Sequence, residues 1–244
     1  MRRYPPPEIP GSFGPGPITP AVRALLIINI AAFVVTYAMA TLMIDLFGLL
    51  PRAVIWEGRV WQLVTHMFLH DPGGFGHILM NMLMLWMFGV ELERRWGTRG
   101  FWRFYLVTGI GAGVVTVLVS LLPFGQTRAI YGVPTIGASG ALYALLMAWA
   151  IVFPHRVILF LLMFPLPARV FAVIFGVIAF FSAVGPGAVN SGVAEFTHLG
   201  GMLAGWLYLQ GPTNLRLAIR YRITKWRMDR MRKRFDVHKG GRVH

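Results

Sequence analysis

Thr135-Ile136-Gly137-Ala138-Ser139-Gly140-Ala141-Leu142-Tyr143 is the stretch on which the reading of this chain turns. It opens an apolar run that continues to Phe153, so a single hydroxyl stands at the mouth of a hydrophobic helix. Its neighbours are small, which lets either a substrate backbone or another helix come close. Serine among glycines is also common where membrane helices simply pack, and taken alone the stretch carries both meanings.

It is one of several apolar runs that reach or approach the roughly 20 residues needed to span a bilayer core. Of the 244 residues, 56% are hydrophobic and only 13% charged, and the mean hydropathy is +0.62. The fold class expected is therefore an all-α membrane protein. The absence of cysteine excludes disulfides, thiolate metal sites and a cysteine nucleophile.

Residues 1–20 are rich in Pro and Gly and are expected to form no packed core. The apolar run that follows is too long for a cleavable signal peptide and lacks a cleavage-site pattern. Ala21 to about Leu50 reads as a first span. Residues 51–76 mix Trp56, Trp61, Phe68 and Phe75 with Arg52, Glu57, Arg59 and Asp71, which fits a loop lying in the membrane interface. A second span runs from about His77 to Val90 and a third from about Phe101 to Leu122. A polar loop, Gly125 to Pro134, leads to the Ser139 span, which Pro154 ends. Residues 154–167 read as a hydrophobic connecting loop and about Ala168 to Val184 as a fifth span. The Gly- and Asn-rich loop Gly185 to Glu195 then leads to a sixth span, about Phe196 to Leu209.

The net charge of +14 invites a nucleic-acid reading, but 11 of the 23 Lys and Arg residues lie after Gly211. A basic tail beside a span reads more simply as an orientation signal and a contact with anionic lipid. With six spans and a cytoplasmic N-terminus, the inside segments hold 20 Lys and Arg and the outside segments three, Arg52, Arg59 and Arg128. The positive-inside rule then puts both termini in the cytoplasm and Ser139 toward the opposite side. The domains expected are a cytoplasmic N-terminus (1–20), a six-helix domain (21–211) and a basic cytoplasmic tail (212–244). In the tail, Leu215, Ile219, Ile223 and Trp226 fall on one side of a possible amphipathic helix, with a disordered basic tail as the other reading.

The sixth span opens Glu195-Phe196-Thr197-His198-Leu199-Gly200-Gly201-Met202-Leu203-Ala204-Gly205. An ionisable side chain within a span is costly and is a functional-site candidate by default. Gly201 and Gly205 follow His198 at i+3 and i+7, on the same face, where glycine permits close approach to a partner helix. If that partner is the Ser139 helix, His198 reaches the Ser139 hydroxyl and can take its proton, which serine needs to act as a nucleophile. The alternative is a histidine satisfied by a neighbouring carbonyl. A carboxylate would normally orient such a histidine, and none is expected in the spans near it. Tyr143, one turn below Ser139 on its face, either holds the imidazole by packing or is a core aromatic.

His77 and Asn81, at i and i+4, share a face at the outer end of the second span. They supply donors for a developing oxyanion, or an interhelical hydrogen bond that holds helices together. His66 and His70 have the spacing of a zinc pair, but no Glu follows His66 and no thiolate exists. No metal is expected, and the two histidines read as fixing the interfacial loop.

With these residues in place the chain resembles the rhomboid family of intramembrane serine proteases, of the bacterial type, over roughly residues 20–211. The resemblance rests on Gly137-Ala138-Ser139-Gly140, His198 with Gly201 and Gly205, His77 with Asn81, and Glu91 followed by Arg94-Arg95-Trp96-Gly97. The run Trp61 to His70 also resembles the family's first loop. Two departures stand out: Gln62 where a Trp-Arg pair is common, and Thr197 before His198 where Ala is usual. The resemblance implies a six-helix core with Ser139 as nucleophile and His198 as base and then acid. It also implies His77, Asn81 and the Ser139 amide at the oxyanion, Tyr143 on His198, and Gly137, Gly140, Gly201 and Gly205 in helix packing. The partners implied are transmembrane protein substrates and the bilayer, with anionic lipid at the tail, no nucleic acid and no cofactor. The location implied is a bacterial inner membrane. The rival readings are an inactive relative that binds membrane clients and, more remotely, a transporter, whose internal repeats and broken helices are not seen.

Overall fold

The apolar run from Ala21 does not form one rod. In the computed structural model, which describes residues 14–123, 125–160, 164–185 and 188–234, helix α1 covers Pro20–Ala38 and a short α2 covers Ala40–Phe47. They are separated at Met39, whose φ of −136° and ψ of 47° leave the helical region. Thr36 donates its hydroxyl to the Ala32 carbonyl at 2.8 Å, and such back-bonding loosens the helical ladder just before the break. The single first span expected to reach Leu50 is corrected accordingly.

Glu93 secures the start of α1. Its carboxylate accepts from the backbone N–H groups of Ala21 (2.9 Å) and Val22 (3.0 Å) and from the hydroxyls of Thr19 and Thr98. A negative charge on the unpaired amides at a helix start is favourable on both hydrogen-bonding and dipole grounds. Arg94 beside it donates to the carbonyls of Pro15 and Pro17. Residues 15–22 are thus tied down, while 1–13 of the expected N-terminal segment lie outside the described residues.

The segment expected at the interface folds as α3 (Pro51–Trp56), α4 (Gln62–Thr65) and a 3-10 turn (His66–Phe68). Trp56 is 78% and Phe75 72% exposed, while Gln62, His66, Met67 and His70 are buried. Gln62 bridges: it accepts from the Leu50 N–H (3.1 Å) and donates to the Asp45 carbonyl (3.1 Å), tying α4 to the end of α2.

Helix α5 runs from Phe75 to Ser120 and bends at Gly97, whose φ of +74° ends one helical segment and lets the next begin without a loop. Helix α6 (Gly125–Gly132) occupies what reads as a polar loop in the sequence. Its Ile130 is fully buried and the Thr127 hydroxyl donates to the Leu122 carbonyl, which anchor a turn of helix that its glycines and Thr disguise. Helix α7 is Ser139–Val152. The expected loop 154–167 is instead an antiparallel hairpin, β1 (Val157–Phe160) with β2 (Phe164–Pro167), paired from Val157↔Pro167 to Phe160↔Phe164. Pro165 and Pro167 forbid a helix there, and a two-stranded ribbon has free edges that accommodate them. Helix α8 is Ala168–Val184. Helix α9 runs Ala188–Arg234 with a non-helical Gly211 (φ +50°), so the backbone is already helical before Phe196, where the last span was expected to begin.

Among the described residues, two helices are long and apolar enough to cross a membrane, α1 (mean hydropathy 2.0) and α5 (1.6), and α7 and α8 are shorter apolar helices. In the described part of residues 1–206 an apolar core is wrapped by further large apolar side chains. Ile27, Ile30 and Val34 of α1 and Val173, Ile178 and Phe181 of α8 are exposed, whereas Asn29, Thr36, Thr108 and Thr116 are buried. Large apolar groups outside and hydrogen-bonded polar groups inside are what a hydrocarbon solvent selects. Residues 207–244 form a second unit. In it the backbone is helical to Arg234, the helical one of the two readings of the tail. Ile223 and Trp226 are exposed, with Arg230 over the Trp226 ring at 4.2 Å, while the Leu215 and Ile219 side chains lie outside the described residues.

Candidate active site

Ser139 is the first residue of α7, where backbone N–H groups have no intrahelical acceptor and the helix dipole favours negative charge. The loop before it is clamped from two sides. Thr135 and Leu49 exchange both backbone hydrogen bonds (2.8 and 2.9 Å), and the Gly137 N–H donates to the His66 carbonyl at 2.9 Å. His66 is itself fixed by a 2.8 Å hydrogen bond from Nδ1 to the Gln62 carbonyl. The 3-10 turn therefore sets the height of the serine. Gly137 has a φ of +131°, a conformation that L side chains rarely adopt, and a Cβ there would stand 3.0 Å from His77 Nε2 and 3.5 Å from Ser139 Oγ.

His198 lies on α9 with Nε2 2.8 Å from Ser139 Oγ. Its ring stacks on Tyr143 with centroids 4.2 Å apart and planes within 1°. Both rings and the serine are half-buried. Helices α7 and α9 come this close because glycines face each other. A Cβ on Gly201 would overlap the Gly140 carbonyl, one on Gly140 would meet Ala112 Cβ at 2.9 Å and Thr197 Cγ2 at 3.0 Å, and one on Gly205 would lie 2.9 Å from the Ala144 carbonyl oxygen. Thr197, the departure beside the histidine, pairs its hydroxyl with that of Thr116 at 2.7 Å in a buried contact that joins α9 to α5.

His77 Nδ1 accepts the Asp71 N–H at 3.3 Å. In the neutral ring this leaves the proton on Nε2, the nitrogen that stands beside Gly137 and so toward Ser139. Asn81, one turn along the same face, is 4% exposed, and its Nδ2 has no hydrogen-bond partner among the described residues. An unmade hydrogen bond from a buried amide costs about 1–3 kcal/mol, and a donor kept free for an incoming oxygen has that signature. His70 packs its ring against His77 at 5.1 Å. Among the described residues, no cluster of three or more metal-ligating side chains forms.

One residue of the site was missed. Glu195 Oε2 lies 2.9 Å from His198 Nδ1, which corrects the expectation that no carboxylate stands near the histidine. The sequence reading put Glu195 in a loop; the backbone is helical there, and an i, i+3 spacing places it on the face of His198. The Glu-x-x-His spacing was the available signal, and the loop assignment hid it.

The family model described as Rhomboid domain matches residues 57–211. The chain is similar to mitochondrial rhomboid protein 1 of Saccharomyces cerevisiae, 36% identical over 148 residues covering 60% of this chain and 40% of that protein. It is also similar to the rhomboid protease GluP of Bacillus subtilis, 33% identical over 102 residues, 42% of this chain and 18% of that protein. RHOMBOID-like protein 5 of Arabidopsis thaliana is 37% identical over 101 residues, 41% of this chain and 29% of that protein. The chain thus spans less than half the length of each of these relatives.

Proposed function

The chain belongs to the rhomboid family, and from that premise we propose that it is an intramembrane serine endopeptidase that cuts transmembrane segments of other membrane proteins. The observation that carries the proposal is the 2.8 Å contact between Ser139 Oγ and His198 Nε2. In the reaction, His198 Nε2 takes the hydroxyl proton as Ser139 Oγ bonds to the scissile carbonyl carbon. The resulting oxyanion accepts hydrogen bonds from His77 Nε2–H, Asn81 Nδ2–H and the Ser139 N–H at the start of α7. The tetrahedral species collapses by breaking the C–N bond, with the leaving nitrogen protonated from His198. Water, deprotonated by the same imidazole, then hydrolyses the acyl-enzyme and Ser139 regains its proton. Tyr143 holds the imidazole plane through stacking, and Gly137, Gly140, Gly201 and Gly205 keep the helices close.

The architecture proposed is a six-span bundle: the α1–α2 run, the two segments of α5 on either side of Gly97, then α7, α8 and α9 as far as Gly211. The 14 residues of α7 rise only about 21 Å, against a hydrocarbon core of about 30 Å. If its far end reaches one interface, Ser139 lies below the other, in a recess that water must enter. The 20-to-3 split of basic residues supports cytoplasmic termini and a recess opening to the opposite side, as in a bacterial inner membrane. The substrate helix must unwind at the cut, because its backbone amides are otherwise hydrogen-bonded internally. The basic tail supplies a contact for anionic lipid.

The test is cleavage of a generic single-span substrate in proteoliposomes, wild type against Ser139→Ala and His198→Ala, with the cut mapped by mass. Cleavage within the transmembrane segment that both substitutions abolish is the expected result. A folded wild type that binds such substrates without cutting them would refute it and leave an inactive client-binding relative.

A further inference from the structure

Glu195 occupies a position the dyad chemistry above does not use. It precedes His198 by one helical turn, and its Oε2 lies 2.9 Å from His198 Nδ1. The two side chains are 20% and 14% exposed, so the contact is largely shielded from water. On the opposite side of the ring, Nε2 faces Ser139 Oγ at 2.8 Å, and Tyr143 covers the ring face. The imidazole is thus held at both nitrogens and one face.

From this geometry we infer that Glu195 is a positioning residue that completes a Ser139–His198–Glu195 triad within the transmembrane site. The inference rests on the protease reading. A carboxylate is an acceptor only, so its partner at Nδ1 must be a donor. The neutral ring then carries its proton on Nδ1 and leaves the Nε2 lone pair for the Ser139 hydroxyl, the tautomer required of the base. When Nε2 takes the serine proton, the ring becomes a cation whose second N–H already points at an anion, and the developing charge is stabilised without rearrangement. Glu195 does not touch substrate; it acts through the orientation, tautomer and charge of His198. The other titratable groups facing this imidazole are Tyr143 and Ser139 from α7 and, close enough for a charge on one ring to be felt by the other, His77 from α5.

The structural alternative is that Glu195 merely braces the start of the last span. Glu195→Gln separates the two, because it keeps size and length while removing the charge. Its amide can present N–H to Nδ1 and so hold the proton on Nε2, where it blocks the base. The measurements are kcat and KM against pH on the single-span substrate, the rate at which a fluorophosphonate labels Ser139, and the thermal midpoint, for wild type, Glu195→Gln and Glu195→Asp. The expected result for Glu195→Gln is a kcat lower by about tenfold or more, with KM and thermal midpoint close to wild type. The acid limb of its pH profile is expected at lower pH, its labelling slower, and part of the rate recovered in Glu195→Asp. Wild-type kcat, pH profile and labelling rate in Glu195→Gln would overturn the inference, as would a loss matched by an equal loss of folded protein. Labelling needs an activated serine and no peptide substrate. If wild type labels but does not cleave, the protease reading fails, and the labelling rate of Glu195→Gln still decides the triad.

Discussion

Replacing Gly201 with alanine tests whether the active site depends on the close approach of α7 and α9. A Cβ at Gly201 would overlap the Gly140 carbonyl oxygen and stand 2.8 Å from its carbon and 3.2 Å from the Gly140 Cα. All three obstacles are backbone, so no rotamer change relieves them. In a close-packed interior the helices must separate by about 1 Å or more. His198 is one turn before Gly201 on α9, and Ser139 adjoins Gly140 on α7, so the displacement acts directly on their 2.8 Å contact. An added ångström takes that pair beyond the hydrogen-bond range, which ends near about 3.2 Å. A misplacement of that size costs about 100-fold in rate, while overpacking costs about 1–3 kcal/mol of stability. The assay is turnover of a single-span substrate in proteoliposomes at a temperature well below the variant's unfolding midpoint, with fluorophosphonate labelling of Ser139 alongside. Gly132→Ala is the control, since a Cβ there meets nothing within 4 Å, and its turnover should match wild type. Wild-type turnover in folded Gly201→Ala would show that the helices do not meet through these glycines and would refute the argument.

Two further outcomes follow from other parts of the site. Asn81→Leu removes a buried amide whose N–H has no partner among the described residues, so turnover should fall about 100- to 1000-fold while the thermal midpoint holds or rises. A lower midpoint would instead mark Asn81 as a structural hydrogen-bonding residue. In the 3-10 turn after α4, burial lowers His66 to a pKa of about 4 against the opposing pull of the Gln62 carbonyl. Burial and then the neighbouring His77 lower His70 to about 4 against the Phe68 carbonyl. Both rings fold neutral, so the unfolded chain binds more protons at mildly acid pH. The stability they contribute is complete above pH 6.5 and is lost as pH falls toward 4. Each accounts for up to about 3 kcal/mol. Thermal midpoints measured from pH 7.5 to 4.5 should fall on the acid side, and a flat profile would contradict the buried neutral assignment.

The parts of this molecule that the sequence made legible are those where spacing along a helix fixes which residues share a face. Ser139 at the head of an apolar run, His198 followed by glycines at i+3 and i+7, and Tyr143 one turn from the serine each specify a helical face. The structure brings all three together around a 2.8 Å contact. Local glycine content misled where tertiary anchoring decided the matter. Gly125–Gly132 reads as a loop yet is helical with Ile130 buried. The backbone before Phe196 reads as a loop yet is helical from Ala188. The second misreading mattered most, because it took Glu195 off the face of His198. Breaks without a residue signature were also invisible: nothing in Tyr37-Ala38-Met39-Ala40 announces that α1 stops at Met39.

The two departures from the family pattern are explained by what they touch, and both bear on the same geometry. Gln62 holds the end of α2 through the Leu50 and Asp45 backbone and gives its own carbonyl to His66. The His66 carbonyl in turn receives the Gly137 N–H, two residues before Ser139. Thr197 joins α9 to α5 beside His198 through Thr116. One departure thus acts on the height of Ser139 and the other on the position of His198. Their hydrogen bonds lie within the protein, in an environment where an unmade one is costly. A chain of such bonds from α4 to the loop before Ser139 makes the polar contacts of residues 61–70 part of the scaffold that positions Ser139.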